Sequence, residues 1–357
     1  MAAHSSFQLF ILSICLVSLA GGLTCLMKWL RIIDQPNPRS SHVDPVPRAG
    51  GVAIVITTYA GVGIFFWLQG ELPTAFFQIS GIAIAATILG FAGLLDDLGR
   101  LKSFKYKLAL QALGCCALFP FGLVMETLPV PVLGEISLGW LGYPITILWI
   151  LGLTNIFNFM DGLDGLAAGT AVVVAALMVM LTEGGVPGPS GTIYFVLSVS
   201  TLGFLIFNFP RAQIFLGDVG SQFLGFVFAA VAVLAADYDP ARVPILVMPL
   251  LFFHFIFDTF FTFCRRFLAR ENVTQAHKSH LYQLLNQAGQ SHARVSTIHF
   301  AIALAQGGGA YFMLQLPAIH QWGVFLPYLV FEVFYALFVL RTARRCGVLD
   351  RTGSESL

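Results

Sequence analysis

The chain has 357 residues, of which 57% are hydrophobic and only 10% charged, with a mean hydropathy of +0.82. A soluble protein of this length needs a charged surface that such a composition cannot supply, so the expected fold class is an all-α polytopic membrane protein. A net charge of +1 gives no reason to expect a nucleic-acid partner, and the informative question is where the charges sit.

Apolar runs long enough to cross about 30 Å of hydrocarbon, roughly 20 residues each, recur about eleven times. They lie near residues 7–30, 50–68, 76–95, 108–126, 143–160, 164–182, 191–209, 219–236, 243–264, 295–315 and 322–341. The first, Phe7 to Leu30, is longer than a signal-peptide core and lacks a basic leader, so it reads as a spanning helix. Leu128 to Tyr143 is rich in Pro, Gly and β-branched residues and is a candidate for a short extracytoplasmic β-hairpin. With no internal repeat and no second domain, residues 1–345 are expected to form one membrane domain and 346–357 a cytoplasmic tail. Cys15, Cys25, Cys115, Cys116 and Cys264 lie in or beside apolar runs without metal-ligand spacing and read as core residues.

Cytoplasmic loops retain Lys and Arg. An extracytoplasmic N-terminus and a cytoplasmic C-terminus put every Lys and Arg except Arg242 on the inner side. That orientation was not chosen for the acids, yet it brings Asp96, Asp97, Asp161, Asp164 and Asp218, from three separate connections, to the cytoplasmic ends of helices. Carboxylates at membrane depth are costly and mark function by default. Near them stand Lys102, Lys105 and Lys107, and the histidines of the longest inner loop, His277 and His280. Carboxylates with amide oxygens suit Mg²⁺ or Mn²⁺, and Lys and His suit phosphate oxygens. The combination describes a cytoplasmic pocket for a metal-bound diphosphate. Taken singly each piece has an ordinary reading: Asp96 and Asp97 a helix end beside a basic loop, Asp218 a helix cap, the histidines exposed loop residues.

The stretch NIFNFMDGLDGLAAG, Asn155 to Gly169, sets two amides, two carboxylates and four glycines between two apolar runs. With GLLDDLGR, FNFPRAQIFLGDVGSQ, the basic loop RRFLARENVTQAHKSHLYQLL and the loop Asp34 to Gly51, it resembles, in the same order, the polyprenyl-phosphate N-acetylhexosamine-1-phosphate transferase family (glycosyltransferase family 4). The resemblance touches every major inner loop and implies a residue-by-residue assignment. Asp218 and Asn158 match metal ligands, and Asp96 matches the proposed base acting on a lipid phosphate, with Asp97 beside it. Asp164 matches a uracil contact and Phe215 a uracil stack. Asn208 and Asp161 match polar positions lining the nucleotide and metal site, and Lys105, Lys107, His277 and His280 match groups that hold diphosphate oxygens.

Mg²⁺, with Mn²⁺ as the alternative, is the implied cofactor. The implied substrates are a UDP-N-acetylhexosamine and undecaprenyl phosphate, met at the inner face of a bacterial plasma membrane; a homodimer stays open. Lys278 and Ser279 separate the two histidines, and Arg100 stands where the peptidoglycan branch has lysine, so the form is similar to the branch initiating O-antigen or related envelope glycans. The competing reading is a secondary transporter, which needs repeated halves and acids at the bilayer midplane. A CDP-alcohol phosphotransferase would show Ala-Arg after its first Asp-Gly, whereas Leu166 and Ala167 follow here.

Overall fold

The computed structural model describes residues 2–34, 45–70, 75–101, 103–182, 188–238, 243–273, 275 and 277–349. Arg39, Lys102, Arg242, Arg351 and most of the loop after Asp34 lie outside them. Fourteen α-helices are present among these residues: α1 (Ala2–Leu30), α2 (Gly51–Gln69), α3 (Phe76–Asp97), α4 (Phe104–Cys116), α5 (Gly142–Phe159), α6 (Leu166–Leu181), α7 (Pro189–Asn208), α8 (Gly217–Val233), α9 (Val247–Leu251), α10 (Phe253–Leu268), α11 (Leu281–Gln287), α12 (His292–Met313), α13 (Ala318–Gln321) and α14 (Phe325–Arg345). Two antiparallel pairs accompany them, β1 (Ile33–Asp34) with β2 (Val46–Pro47), and β3 (Thr127–Val130) with β4 (Gly134–Ser137).

Helix occupies each of the apolar runs, and among the described residues seven helical segments are long and apolar enough to cross a membrane. Of the other runs, α6 spans 16 residues and α12 spans 22, and two are interrupted. Helix α4 stops at Cys116, ahead of a turn that contains Pro120. The run at 243–264 is split at Phe252 into α9 and α10. The expected hairpin is β3–β4, and Trp322 Nε1 donates to Pro129 O at 2.7 Å, fastening it to the chain before α14.

Helix α8 is the axis. Every residue from Val219 to Val233 is buried, as expected of a helix that is apolar all round, and it packs between α3 and α5. Its interior neighbours carry a polar ladder: Asn155 Nδ2 donates to Gln111 Oε1 at 2.9 Å, and Gln111 Nε2 to Gln222 Oε1 at 3.0 Å. These bonds join α4, α5 and α8 where hydrocarbon offers no other partner.

Candidate active site at the converging helix ends

The C-terminal ends of α3, α5 and α7 and the N-terminal ends of α8 and α12 meet at one face, opposite the β3–β4 hairpin. The start of α8 is fixed from two sides. Phe215 N–H donates to Pro47 O at 2.8 Å, and Gly50 and Gly51 donate back to Phe215 O and Leu216 O at 3.0 and 2.8 Å. From α3, Asp97 accepts the backbone N–H of Asp218 at 3.0 Å and of Val219 at 3.1 Å, satisfying two of the orphan donors of the helix N-terminus. Gly217 has φ +75°, and a Cβ there would stand 2.6 Å from Asp97 Oδ2, so only glycine lets the carboxylate approach.

Asp218 therefore projects from the first turn of α8, where the helix dipole favours its charge. Lys107 Nζ, from α4, donates to Asp96 Oδ2 at 3.0 Å and to Asp218 Oδ2, and stands 3.5 Å from Asn158 Oδ1. Asn158 Nδ2 completes the set by donating to Asp218 Oδ1 at 2.9 Å and Ser221 Oγ at 2.8 Å. Successive helix residues are rotated by about 100°, which sends Asp96 to this cluster and Asp97 to the backbone of α8. The side chains of Asp96 and Asp218 remain 31% and 27% exposed, so both are open to a ligand.

Beside the cluster lies a cavity of about 280 Å³, lined by Asn158, Asp161, Asp164, Asn208, Phe215 and Asp218 together with Asp97 and several groups described below. Asn208 ties its walls together: its Oδ1 accepts from Gly165 N at 2.9 Å and its Nδ2 donates to Ile214 O at 2.9 Å. Burial, then the charges of Asp218 and Asp97, push the Asp161 carboxyl well above the usual carboxylate range. Asp164 pairs with His292 Nδ1 at 3.2 Å, and its carbonyl accepts from Ser296 Oγ at 2.8 Å. A larger apolar cavity of about 570 Å³ sits between the far ends of α2 and α3 and contains none of the candidate residues.

The remaining candidates lie apart. Lys105 is exposed in the first turn of α4. His277 and His280 face each other with ring centroids 5.0 Å apart, and His280 stacks on Phe159 at 6.3 Å, but neither lines the cavity. His280 Nδ1 is bound to the buried Asp258 at 3.1 Å. Burial, with the charges of His280, Arg266 and Arg265, pulls His277 down to about 3, so at neutral pH it is an uncharged group. Sequence reasoning passed over Asp34, Arg48, Gln283 and His292, all of which line the cavity, and Asp258. Asp258 had a legible signal, a carboxylate inside an apolar run; His292, the first residue of α12, had none.

Among the described residues no three Asp, Glu, His or Cys side chains gather as one ion's ligand set. Two carboxylates and an amide oxygen do converge on the Lys107 ammonium, however, so the spot already accommodates a cation among hard oxygen donors. One or two carboxylates, with waters and ligand phosphates completing the shell, is how Mg²⁺ is usually held.

The glycosyl transferase family 4 model matches residues 79–236, the segment that contributes α3, α5, α8 and the cluster between them. A probable undecaprenyl-phosphate N-acetylglucosaminyl 1-phosphate transferase of Bacillus subtilis (strain 168) is 37% identical over 73% of this chain and 71% of its own length. The chain belongs to glycosyl transferase family 4. A decaprenyl-phosphate N-acetylglucosaminephosphotransferase of Mycobacterium leprae (strain TN) is 33% identical over 74% of the chain and 73% of its own length. More partial is the match to a phospho-N-acetylmuramoyl-pentapeptide-transferase of a Synechococcus species, 34% identical over 58% of this chain. The matched segment of the chain carries Asp96, Lys107, Asn158 and Asp218.

Proposed function

We propose that this member of glycosyl transferase family 4 transfers an N-acetylhexosamine 1-phosphate from a UDP-sugar to undecaprenyl phosphate at the cytoplasmic face of a bacterial inner membrane. UMP is released, and the product starts a lipid-linked envelope glycan such as O-antigen. The observation that carries this reading is the meeting of Asp96, Lys107, Asn158 and Asp218, from four helices, beside a polar cavity with an aromatic wall. The names of the relatives point to the same class of donor and acceptor.

In this reading Phe215 stacks on the uracil and Asp164, steadied by His292, accepts its N–H. A lipid phosphate monoester, with a second pKa of about 6, is already largely dianionic at neutral pH and needs positioning more than deprotonation. Asp96 orients it or takes its last proton, and Lys107 offsets the charge of the incoming phosphate. An oxygen of the lipid phosphate bonds to the β-phosphorus as that phosphorus parts from the bridging oxygen, which leaves with UMP. Asp218 and Asn158, with Asp161 nearby, would hold Mg²⁺ or Mn²⁺, which supplies charge neutralisation to the diphosphate. Asp97 keeps Asp218 in place through the start of α8. His277 and His280, next to Phe159, and the exposed Lys105 meet phosphate or sugar oxygens extending out of the cavity. The isoprenoid tail stays in lipid while its headgroup reaches the helix ends.

The test is purified protein with undecaprenyl phosphate, Mg²⁺ and a panel of UDP-N-acetylsugars, following UMP. Release with at least one sugar, abolished in Asp218→Ala and Asp96→Ala, is expected. Movement of a solute across vesicles without any UMP would point to a transporter instead.

A further inference from the structure

Five aspartates, Asp34, Asp97, Asp161, Asp164 and Asp218, face the 280 Å³ cavity, and among the described residues that line it the only Lys or Arg is Arg48. Lys107 is bound between two carboxylates outside that lining, Lys105 is exposed, and His292 is occupied by Asp164. A diphosphate entering this space meets mainly acidic side chains, those that are ionised repelling it.

The position of Arg48 is rigid while its guanidinium is under-used. Its backbone N–H donates to Ile32 O at 2.7 Å, and the residues on either side of it, Pro47 and Gly50, bond to Phe215. The Arg48 backbone is thereby clamped to the segment that carries the aromatic wall. Among the described residues its side chain forms one ion pair, Nη1 to Asp34 Oδ1 at 3.4 Å, well beyond the 2.7–2.9 Å of a strong charge-assisted bond. Its Nε is buried with no partner among the described residues. Both side chains of the pair are 28% exposed, so the pair is solvent-screened and readily exchanged for a stronger anion.

We propose that Arg48 is a diphosphate-binding residue of the cavity: its guanidinium leaves Asp34 and takes the oxygens of a nucleoside diphosphate whose base rests on Phe215. This rests on the transferase reading above and adds to it a binding residue from the first inner loop. A guanidinium fork matches a phosphate in two parallel bonds, which an ammonium cannot reproduce. Asp34 keeps the charge of Arg48 balanced until the ligand arrives.

The full chain in detergent, with Mg²⁺ present, is titrated with UDP and separately with uridine, which shares the base and lacks phosphate. Arg48→Ala is expected to weaken UDP binding by about 10- to 100-fold and to leave uridine within about twofold, the loss typical of charge-assisted bonds. Arg48→Lys is expected to fall between, and Asp34→Asn, which frees the guanidinium, to bind UDP more tightly than the native chain. Should Arg48→Ala fail to fold, the Lys and Asn variants still decide. UDP affinity unchanged in folded Arg48→Ala or Arg48→Lys, or equal losses for UDP and uridine, overturns the assignment to phosphate. Native protein that binds neither UDP nor uridine overturns the transferase reading itself, and Arg48 with it; native protein that binds uridine and UDP equally removes only Arg48's role.

Discussion

Asp218 and Asp258 are both aspartates within the helix bundle near its polar face, and their surroundings differ in kind. Asp258 has a full set of donors: His280 Nδ1, the N–H groups of Leu281 and Tyr282, and Thr262 Oγ1, all between 2.9 and 3.1 Å, with its side chain 4% exposed. Nothing remains for a ligand, and its product is structural. It anchors the start of α11, and Tyr282 then donates to Phe159 O at 2.9 Å. A Cβ on Gly162 would meet the Tyr282 hydroxyl at 2.2 Å, so the turn bearing Asp161 is seated directly on this anchor. Asp218 instead crowds against Asp96, shares one ammonium with it, and stays 27% exposed. A satisfied carboxylate builds the frame; one that competes with a neighbour for a cation is available for chemistry.

The sharpest way to break this contrast is to remove the charge on each side. Asp218→Asn is expected to cut UMP release by about 10²- to 10³-fold, with a small change in melting temperature. Asp258→Ala should do the reverse first. Stripping a buried carboxylate from its paired histidine and two backbone donors costs about 3–5 kcal/mol, seen as a large drop in thermal midpoint. If Asp258→Ala melts like the native chain while losing activity outright, Asp258 belongs to the chemistry and the distinction fails.

Asp97 sharpens the comparison because it adjoins Asp96 in sequence yet resembles Asp258 in its bonds. Asp97→Ala is expected to lose about 1–3 kcal/mol from the two unmet N–H groups at the start of α8, with a fall in activity that Asp97→Asn partly restores. Equal activity loss in the Ala and Asn variants, without any melting change, would make Asp97 a reacting group.

The smallest effect concerns Asp161. Its folded value is raised above the ordinary 3.8 by burial and by Asp218 and Asp97. The folded chain therefore holds a proton that the unfolded chain has released. This contribution to stability is complete below about the ordinary carboxylate range and is lost as pH rises through the raised value. Melting followed from acid to neutral pH without divalent cation should show that decline, and Asp161→Asn should flatten it. A decline that persists unchanged in Asp161→Asn assigns it to another group.

Much of this arrangement is readable from the chain. Alternating apolar runs put Asp96, Asn158 and Asp218 on one face, and Pro and Gly between Leu128 and Tyr143 mark the β3–β4 hairpin. Periodicity could not separate Asp96 from Asp97, because adjacent aspartates look alike until the helix end to which one of them bonds is in place. The His loop is legible only in part: two histidines in a polar loop suggest phosphate, but the chain alone does not show that one ring nitrogen of His280 is held by a carboxylate 22 residues back. The early stop of α4 goes with Pro120, which a hydropathy window averages away. Arg48 was visible only as a loop charge, since its place beside Phe215 arises from backbone pairing between segments far apart in sequence.

The most direct measurement is Mn²⁺ binding in the presence of UDP, followed by electron paramagnetic resonance on the native chain, Asp218→Asn and Asp258→Asn. One UDP-dependent Mn²⁺ in the native chain, lost in Asp218→Asn and kept in folded Asp258→Asn, is the expected result. Mn²⁺ retained at full affinity in Asp218→Asn would contradict the claim that the acids gathered at the start of α8 form a cation-bridged diphosphate site.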